Sequence, residues 1–254
     1  MFSEDYRNRV RDEALRLAES DPRIVAGAVV GSLAHGDGDR WSDLDLTFAV
    51  ADAIPLRAVL DDWTRHFREL GAVHLFDVGS GAAIYRVFLL PDCLQFDLSF
   101  APASDFAAAG PKFRLLFGSS VEKPYPSPPS AHDLLGYAVH HALRARFCIE
   151  RGRVFHAEYW ISGVRHYGLS LACRLRDLPA HYGRGYDDLP REVSAPFARA
   201  LAASLDREEL MRALRGAIKA LWSVVEHAPD VDGMAGLAAQ VEPALRNLTR
   251  RWDE

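Results

Sequence analysis

The chain has 254 residues, is 49% hydrophobic and 26% charged, and carries a formal net charge of -5. That balance excludes a disordered or fibrous chain, and it argues against a broad phosphate-backbone footprint, which needs clustered Lys and Arg. Cys93, Cys148 and Cys173 stand far apart without metal-ligand spacing, as reduced thiols of a cytoplasmic protein would, and no leader-like or membrane-spanning apolar segment is expected.

Met1 to Glu19 is polar and acidic and predicts an amphipathic helix. "IVAGAVVG" predicts a buried strand that ends at a glycine turn, with a short helix following Gly31-Ser32. "LDLTFAV" predicts a second strand. In "PLRAVLDDWTRHFREL", Leu56, Val59, Leu60, Trp63 and Phe67 share one helical side, and Gly71 is placed to stop the helix. "VHLFDV" predicts a third strand. "AIYRVFLL" and "LQFDLSFA" flank "PDC", a turn signal that predicts a hairpin and hence a mixed sheet.

"EKPYPSPPS" then packs four prolines into Glu122 to Ser130, a stiff extended connector. The expected organisation is a sheet domain over 1–123, a proline-rich linker over 124–130 and a helical domain over 131–254. Ser130 and Asp133 have the spacing of a helix N-cap with an acid in the first turn. Leu134, Leu135, Ala138, Val139, Ala142 and Leu143 form one apolar stripe. Ala157, Trp160, Ile161, Val164, Gly168, Leu171 and Leu175 form another. "LPAHYGRGYDDLP" interrupts as a loop, and two or three more helices are expected from Ser194 to Arg251. The fold class is therefore α+β, a mixed sheet with flanking helices followed by a helical bundle.

The chemistry concentrates in "VVGSLAHGDGDRWSDLDLTFAV". Side chains alternate along a strand, so Asp43, Asp45 and Thr47 face one way while Leu44, Leu46 and Phe48 face the core. Carboxylates this close repel one another and raise each other's pKa. A divalent cation removes the conflict, and hard oxygen ligands suit Mg²⁺. In "LQFDLSF" the same alternation groups Gln95, Asp97 and Ser99. If that strand neighbours the first acidic one, Asp97 becomes a third carboxylate, enough for two metals or for one metal and a general base. Gly31-Ser32 supplies a turn whose backbone approaches a ligand closely and whose N–H groups suit phosphate oxygens.

"GSLAHGDGDRWSDLDL" followed by "QFDLSF" resembles the signature of the DNA polymerase beta-type nucleotidyltransferase superfamily. The two-domain layout is similar to the antibiotic nucleotidyltransferases, which transfer AMP to aminoglycoside or lincosamide hydroxyls. The resemblance implies that Asp43 and Asp45 bind two Mg²⁺ ions and that Asp97 is a metal ligand or the base for the acceptor hydroxyl. It implies that Gly31 and Ser32 hold the donor's β- and γ-phosphates, with Ser42 as a further phosphate contact. His35 stands where many relatives carry an arginine. The donor implied is ATP or another NTP.

In the helical half, Glu158, Ser162, Arg165 and Leu169 share a stripe. The resemblance makes Glu158 a candidate for substrate contact or base and Arg165 a candidate phosphate contact; a plain Glu–Arg pair is the alternative. His140-His141 reads as one solvated and one packed imidazole. His181, Tyr182, Arg184 and Tyr186 lie on a loop that is either a lid for a ring-bearing ligand or simply exposed, and Lys112 and Arg114 are basic residues near the connector.

The expected activity is Mg²⁺-dependent transfer of a nucleoside monophosphate to a small hydroxylated acceptor such as an aminoglycoside. Two other readings compete. One is an antitoxin of nucleotidyltransferase type that binds or AMPylates a partner protein, which the long helical half speaks against. The other is a nucleic-acid end-modifying enzyme, which the negative charge speaks against. No membrane partner is expected. A homodimer stays open, as does whether two chains share one site.

Overall fold

The structure, a computed structural model, describes residues 1–36, 38–226 and 228–248. The chain divides into two compact units, Met1–Pro126 and Ser127–Glu254. Among the described residues, no helix is long and apolar enough to cross a membrane.

The first unit opens with helix α1, Glu4–Ser20. Ser3 caps it by accepting from the Tyr6 N–H at 3.1 Å, and Glu4 and Asp5 place negative charge at the positive end of the helix. Strands β1 (Ile24–Val30) and β2 (Leu44–Val50) follow, then helix α2 (Leu56–Glu69). Gly71, at φ +84, takes the left-handed conformation that ends α2, as expected for a glycine there. Strands β3 (Val73–Ser80), β4 (Ala83–Leu90), β5 (Leu94–Pro102) and β6 (Phe113–Phe117) complete the sheet.

The strand order is β3-β4-β5-β2-β1-β6. Only β2 and β5 run parallel; the other four pairings are antiparallel, including the β4–β5 hairpin around Pro91–Cys93. The sheet is thus mixed, as the hairpin signal required. Strand β6 was not among the expected elements. "FRLLF" is short and has no apolar–polar alternation, so it carries no strand signature of its own. It forms as an edge by pairing with β1.

The sheet has two unlike faces. Leu44, Leu46, Phe48 and Val50 of β2 and Leu94, Phe96, Leu98 and Phe100 of β5 point to one face, where Val10, Ala14 and Ala18 of α1 and Val59, Leu60, Trp63 and Phe67 of α2 cover them. Trp63 anchors this core, meeting Phe100 edge-on at 5.0 Å and Phe48 at 5.1 Å. Arg86 of β4 is buried on the same face. It grips Asp77 of β3 through two hydrogen bonds of 2.7 and 2.8 Å and reaches Thr64 of α2 at 2.8 Å. The opposite face carries a small apolar cluster, Ala26, Ala28, Ala49, Ala101 and Phe106, and the polar row of Asp45, Thr47, Asp97 and Ser99.

The second unit is helical: α3 (Ala131–Glu150), α4 (Val154–Arg174), α5 (Arg191–Arg199), α6 (Arg207–Val225) and α7 (Met234–Leu248). Ser130 caps α3 by accepting from the Asp133 N–H at 3.3 Å. The two apolar stripes expected for α3 and α4 enter one core with α6. Helix α5 starts three residues before the expected Ser194, because Pro190 sets the fixed φ from which Arg191 turns into the helix. The expected end at Arg251 lies outside the described residues.

Asp21 joins α1 to the core of the first unit. Its carboxylate accepts from the Arg23 guanidinium twice at 2.8 Å and from the Trp63 indole N–H at 3.0 Å. These bonds, the Arg23 pair foremost, hold its pKa down from 3.8 to about 2 against the opposing effect of burial. A carboxyl whose folded pKa is depressed contributes stability above its unfolded pKa, and that stability is lost as pH falls through the folded one. Asp21→Asn is therefore expected to lower unfolding free energy by on the order of 1–2 kcal/mol at pH 7, with the difference shrinking from about pH 4 down to about pH 2. Urea unfolding of both proteins across that range checks it, and a difference independent of pH would refute the linkage.

Candidate active site

The polar face of the sheet is organised around the single parallel strand pair. Asp45 of β2 pairs with Asp97 of β5, and Leu44 and Leu46 pair with Phe96 and Leu98 on either side. Residues paired across strands share a face, so burying the leucines and phenylalanines on one side sends both carboxylates to the other. Asp43, one residue before β2, joins them. Carboxylate oxygens of Asp43, Asp45 and Asp97 lie within 4.8 Å of one another, and all three residues are half-buried.

The cluster is electrostatically uncomfortable without a cation. The Asp97 carboxyl is raised above the ordinary carboxylate range, chiefly by burial and further by the charge of Asp43. A hydrogen bond from the Gln95 amide at 3.0 Å opposes the rise only in part. Three half-buried oxygen donors at this spacing fit a hard divalent ion such as Mg²⁺.

The turn after β1 brings backbone against this cluster. Gly31 has φ +71 and opens a 3-10 turn, Gly31–Ala34. A Cβ at Gly31 would lie 2.4 Å from Asp45 Oδ2, so a side chain here would push the Asp45 carboxylate aside and would strain the left-handed backbone as well. The Gly31 N–H itself donates to the Lys112 carbonyl at 3.1 Å, which continues the β1–β6 ladder. That donor is engaged, and Gly31 acts on the site through the absence of a side chain. Ser32, next in the turn, is half-exposed, and its hydroxyl has no hydrogen bond among the described residues.

The connecting loop is braced from behind by a residue that the motif reading did not single out. Arg7 of α1 is only 5% exposed, and its guanidinium donates to the carbonyls of Asp39 at 2.7 Å and Ser42 at 2.8 Å. It thereby holds the backbone immediately before Asp43. Its signal in the sequence was an arginine in phase with Val10, Ala14 and Ala18, the buried stripe of α1. The Ser42 hydroxyl is committed to the same loop. It accepts from the Asp39 N–H at 3.0 Å and meets the Asp39 carboxylate at 3.1 Å. His35 is exposed and its Nε2 lies 2.8 Å from the Pro111 carbonyl, tying the turn to the segment before β6. Arg114 of β6 donates to the Ala34 carbonyl at 2.8 Å and fastens the same turn. Asp37, in the loop of the motif, lies outside the described residues.

Tyr85 of β4 is a further member of the polar face. It pairs with Ser99, which pairs in turn with Thr47, one step along the strands from the Asp97–Asp45 pair. Burial raises its phenol, and the charge of Asp45 adds to the rise. Tyr85 belongs to a strand expected from the hairpin signal, but nothing in one strand's pattern says which residues of its neighbour lie beside it.

The remaining candidates belong to the second unit. Glu158 and Arg165 of α4 pair there at 3.5 Å. Arg165 is 9% exposed and also donates to the Ala200 carbonyl at 3.4 Å. His141 is packed and His140 exposed, as expected. In the 178–190 loop, His181, Tyr182 and Arg184 are exposed, whereas Tyr186 is anchored. Its hydroxyl meets Ser170 Oγ at 2.7 Å and His166 Nδ1 at 2.8 Å.

No protein-family model matches the chain, and no curated protein matches it. Among solved structures, the chain is similar to a nucleotidyltransferase-like protein from Exiguobacterium sibiricum 255-15, at 13% identity and a TM-score of 0.42, over 94% of this chain and 80% of that one. It is also similar to an aminoglycoside 6-adenyltransferase from Bacillus subtilis, at 12% identity and a TM-score of 0.34, over 92% of this chain and 96% of that one. At these identities the chemistry rests on the geometry of the site itself.

Proposed function

We propose that the chain is a Mg²⁺-dependent nucleotidyltransferase that moves a nucleoside monophosphate, AMP from ATP, to a hydroxyl of a small acceptor. The observation that carries this reading is the convergence of Asp43, Asp45 and Asp97 within 4.8 Å, beside a glycine turn where a side chain would displace Asp45. The acceptor class, a hydroxylated molecule of aminoglycoside type, follows from the sequence resemblance.

In this reading Asp43 and Asp45 would hold the two Mg²⁺ ions, and Asp97 would be a further ligand or the base. Bound Mg²⁺ supplies charge neutralisation at the reacting α-phosphate and the departing pyrophosphate. The acceptor oxygen attacks the α-phosphorus in line. Its new P–O bond forms as the α–β bridging P–O bond breaks, and pyrophosphate leaves with that electron pair. The hydroxyl proton passes to a carboxylate. Asp97 is a candidate for this role, a half-buried carboxylate beside Asp45 whose proton affinity burial raises. Glu158 is the alternative base, held by Arg165. Gly31 keeps the backbone close to Asp45, Ser32 offers its hydroxyl to the β- and γ-phosphates, and Arg7 and Ser42 keep the loop before Asp43 in place. Catalysis then consists of positioning and charge stabilisation rather than covalent chemistry.

With Mg²⁺ and ATP, the purified protein is expected to release pyrophosphate only when an acceptor is supplied, so a panel of aminoglycosides, tRNA and protein acceptors identifies the class. Asp45→Asn is expected to reduce that release by at least about 100-fold while leaving the thermal midpoint unchanged. Full activity in this variant would overturn the metal assignment. Gly31→Ala is expected to cost about 1–2 kcal/mol of stability from the left-handed backbone. It should also lower turnover by roughly 100-fold, because the added methyl displaces Asp45. Steady-state assays beside denaturant melts separate the two effects, and a Gly31→Ala protein that melts lower but turns over normally would show that the close approach has no catalytic part.

A further inference from the structure

A cavity of about 560 Å³ opens on the β6 side of the first unit, lined by Phe113, Ser120, Glu122, Lys123 and Tyr125 among others. Strand register ties it to the carboxylates. Phe113 pairs with Val30, and Val29 pairs with Leu46, so the antiparallel register sets Val30 opposite Asp45. Asp45 pairs with Asp97. Cross-strand partners share a face, so Phe113, Val30, Asp45 and Asp97 form one row across the sheet. Neighbouring strands lie about 4.8 Å apart, which puts Phe113 two strands, or about 10 Å, from Asp45 on the acidic face.

The lining has the chemistry of a nucleoside subsite rather than a phosphate subsite. Phe113 packs against Phe106 at 5.7 Å in a T-shaped contact, and Phe106 sits in the small buried cluster with Ala26, Ala28, Ala49 and Ala101. The floor is therefore apolar and rigid. The Tyr125 ring is 55% exposed and presents a face for stacking. Lys123 is paired with Asp105, so its charge is already answered within the protein and is not held in reserve for phosphate. Ser120 and Glu122 add a hydroxyl and a carboxylate, acceptors for ribose hydroxyls and for an exocyclic amine. A volume of this size lies within the range of small-molecule sites.

We infer that this cavity takes the base of the donor nucleotide, stacked on Tyr125, with the ribose lying along the row and the α-phosphate at Asp45. The inference rests on the nucleotidyl-transfer reading, so its test compares two probes on the full chain. Calorimetric titration with ATP and with inorganic tripolyphosphate, both in Mg²⁺, separates nucleoside contacts from phosphate contacts. Tyr125→Ala is expected to weaken ATP binding about tenfold and to leave tripolyphosphate binding unchanged, while Tyr125→Phe, which keeps the ring, retains both. If Tyr125→Ala weakens the two probes equally, or weakens neither, the subsite is elsewhere and the transfer reading stands. If the unmodified chain binds neither probe, the transfer reading falls and the subsite falls with it.

Discussion

Three carboxylates within 4.8 Å of one another repel, and the first unit is built so that they cannot move apart. Asp45 and Asp97 sit on the only parallel strand pair of the sheet, and each is flanked in sequence by residues buried on the opposite face. Slipping β2 by one residue would separate the acids but would also turn Leu44, Leu46, Phe48 and Val50 out of the core, and slipping β5 would do the same to Leu94, Phe96, Leu98 and Phe100. Fully burying an apolar side chain of this size is worth about 1.5–3 kcal/mol, so four of them outweigh the repulsion in a half-buried, partly hydrated cluster. The charge conflict is held in place by the hydrophobic core behind it, and a divalent cation is the simplest way to relieve it.

The rest of the first unit arranges backbone around that cluster. Gly31 removes a side chain where one would strike Asp45. Arg7 reaches from α1 to two loop carbonyls and steadies the approach to Asp43. Arg114 and His35 tie the other end of the turn to β6 and the segment before it. None of these residues needs to touch a substrate to matter. They fix where the turn backbone lies relative to the carboxylates, and reactions that depend on positioning are sensitive to such distances.

Much of this was legible because period-two alternation is local. The faces of "LDLTFAV" and "LQFDLSF", the helix stop at Gly71 and the Ser130 cap all follow from neighbours within a few residues, and the structure carries each of them. Strand β6 was not legible, because an edge strand of five residues draws its stability from β1 rather than from its own pattern. Tyr85 and Arg7 escaped for a related reason. Their place at the site depends on which strand lies beside β5 and on which loop packs over α1.

The sequence by itself determined the residue types and their phase: two acids on one strand face, a third acid in phase on a later strand, and a glycine at the turn. Alternation and capping are properties of short segments, so no partner is needed to read them. Only the tertiary structure decided that β2 and β5 are neighbours, that their register sets Asp45 against Asp97, and that Arg7, Tyr85 and the Phe113–Tyr125 cavity share the same unit. Strand order and register are set by long-range burial, in which each strand's apolar face finds α1, α2 and its neighbours at once. No stretch of chain carries that information alone.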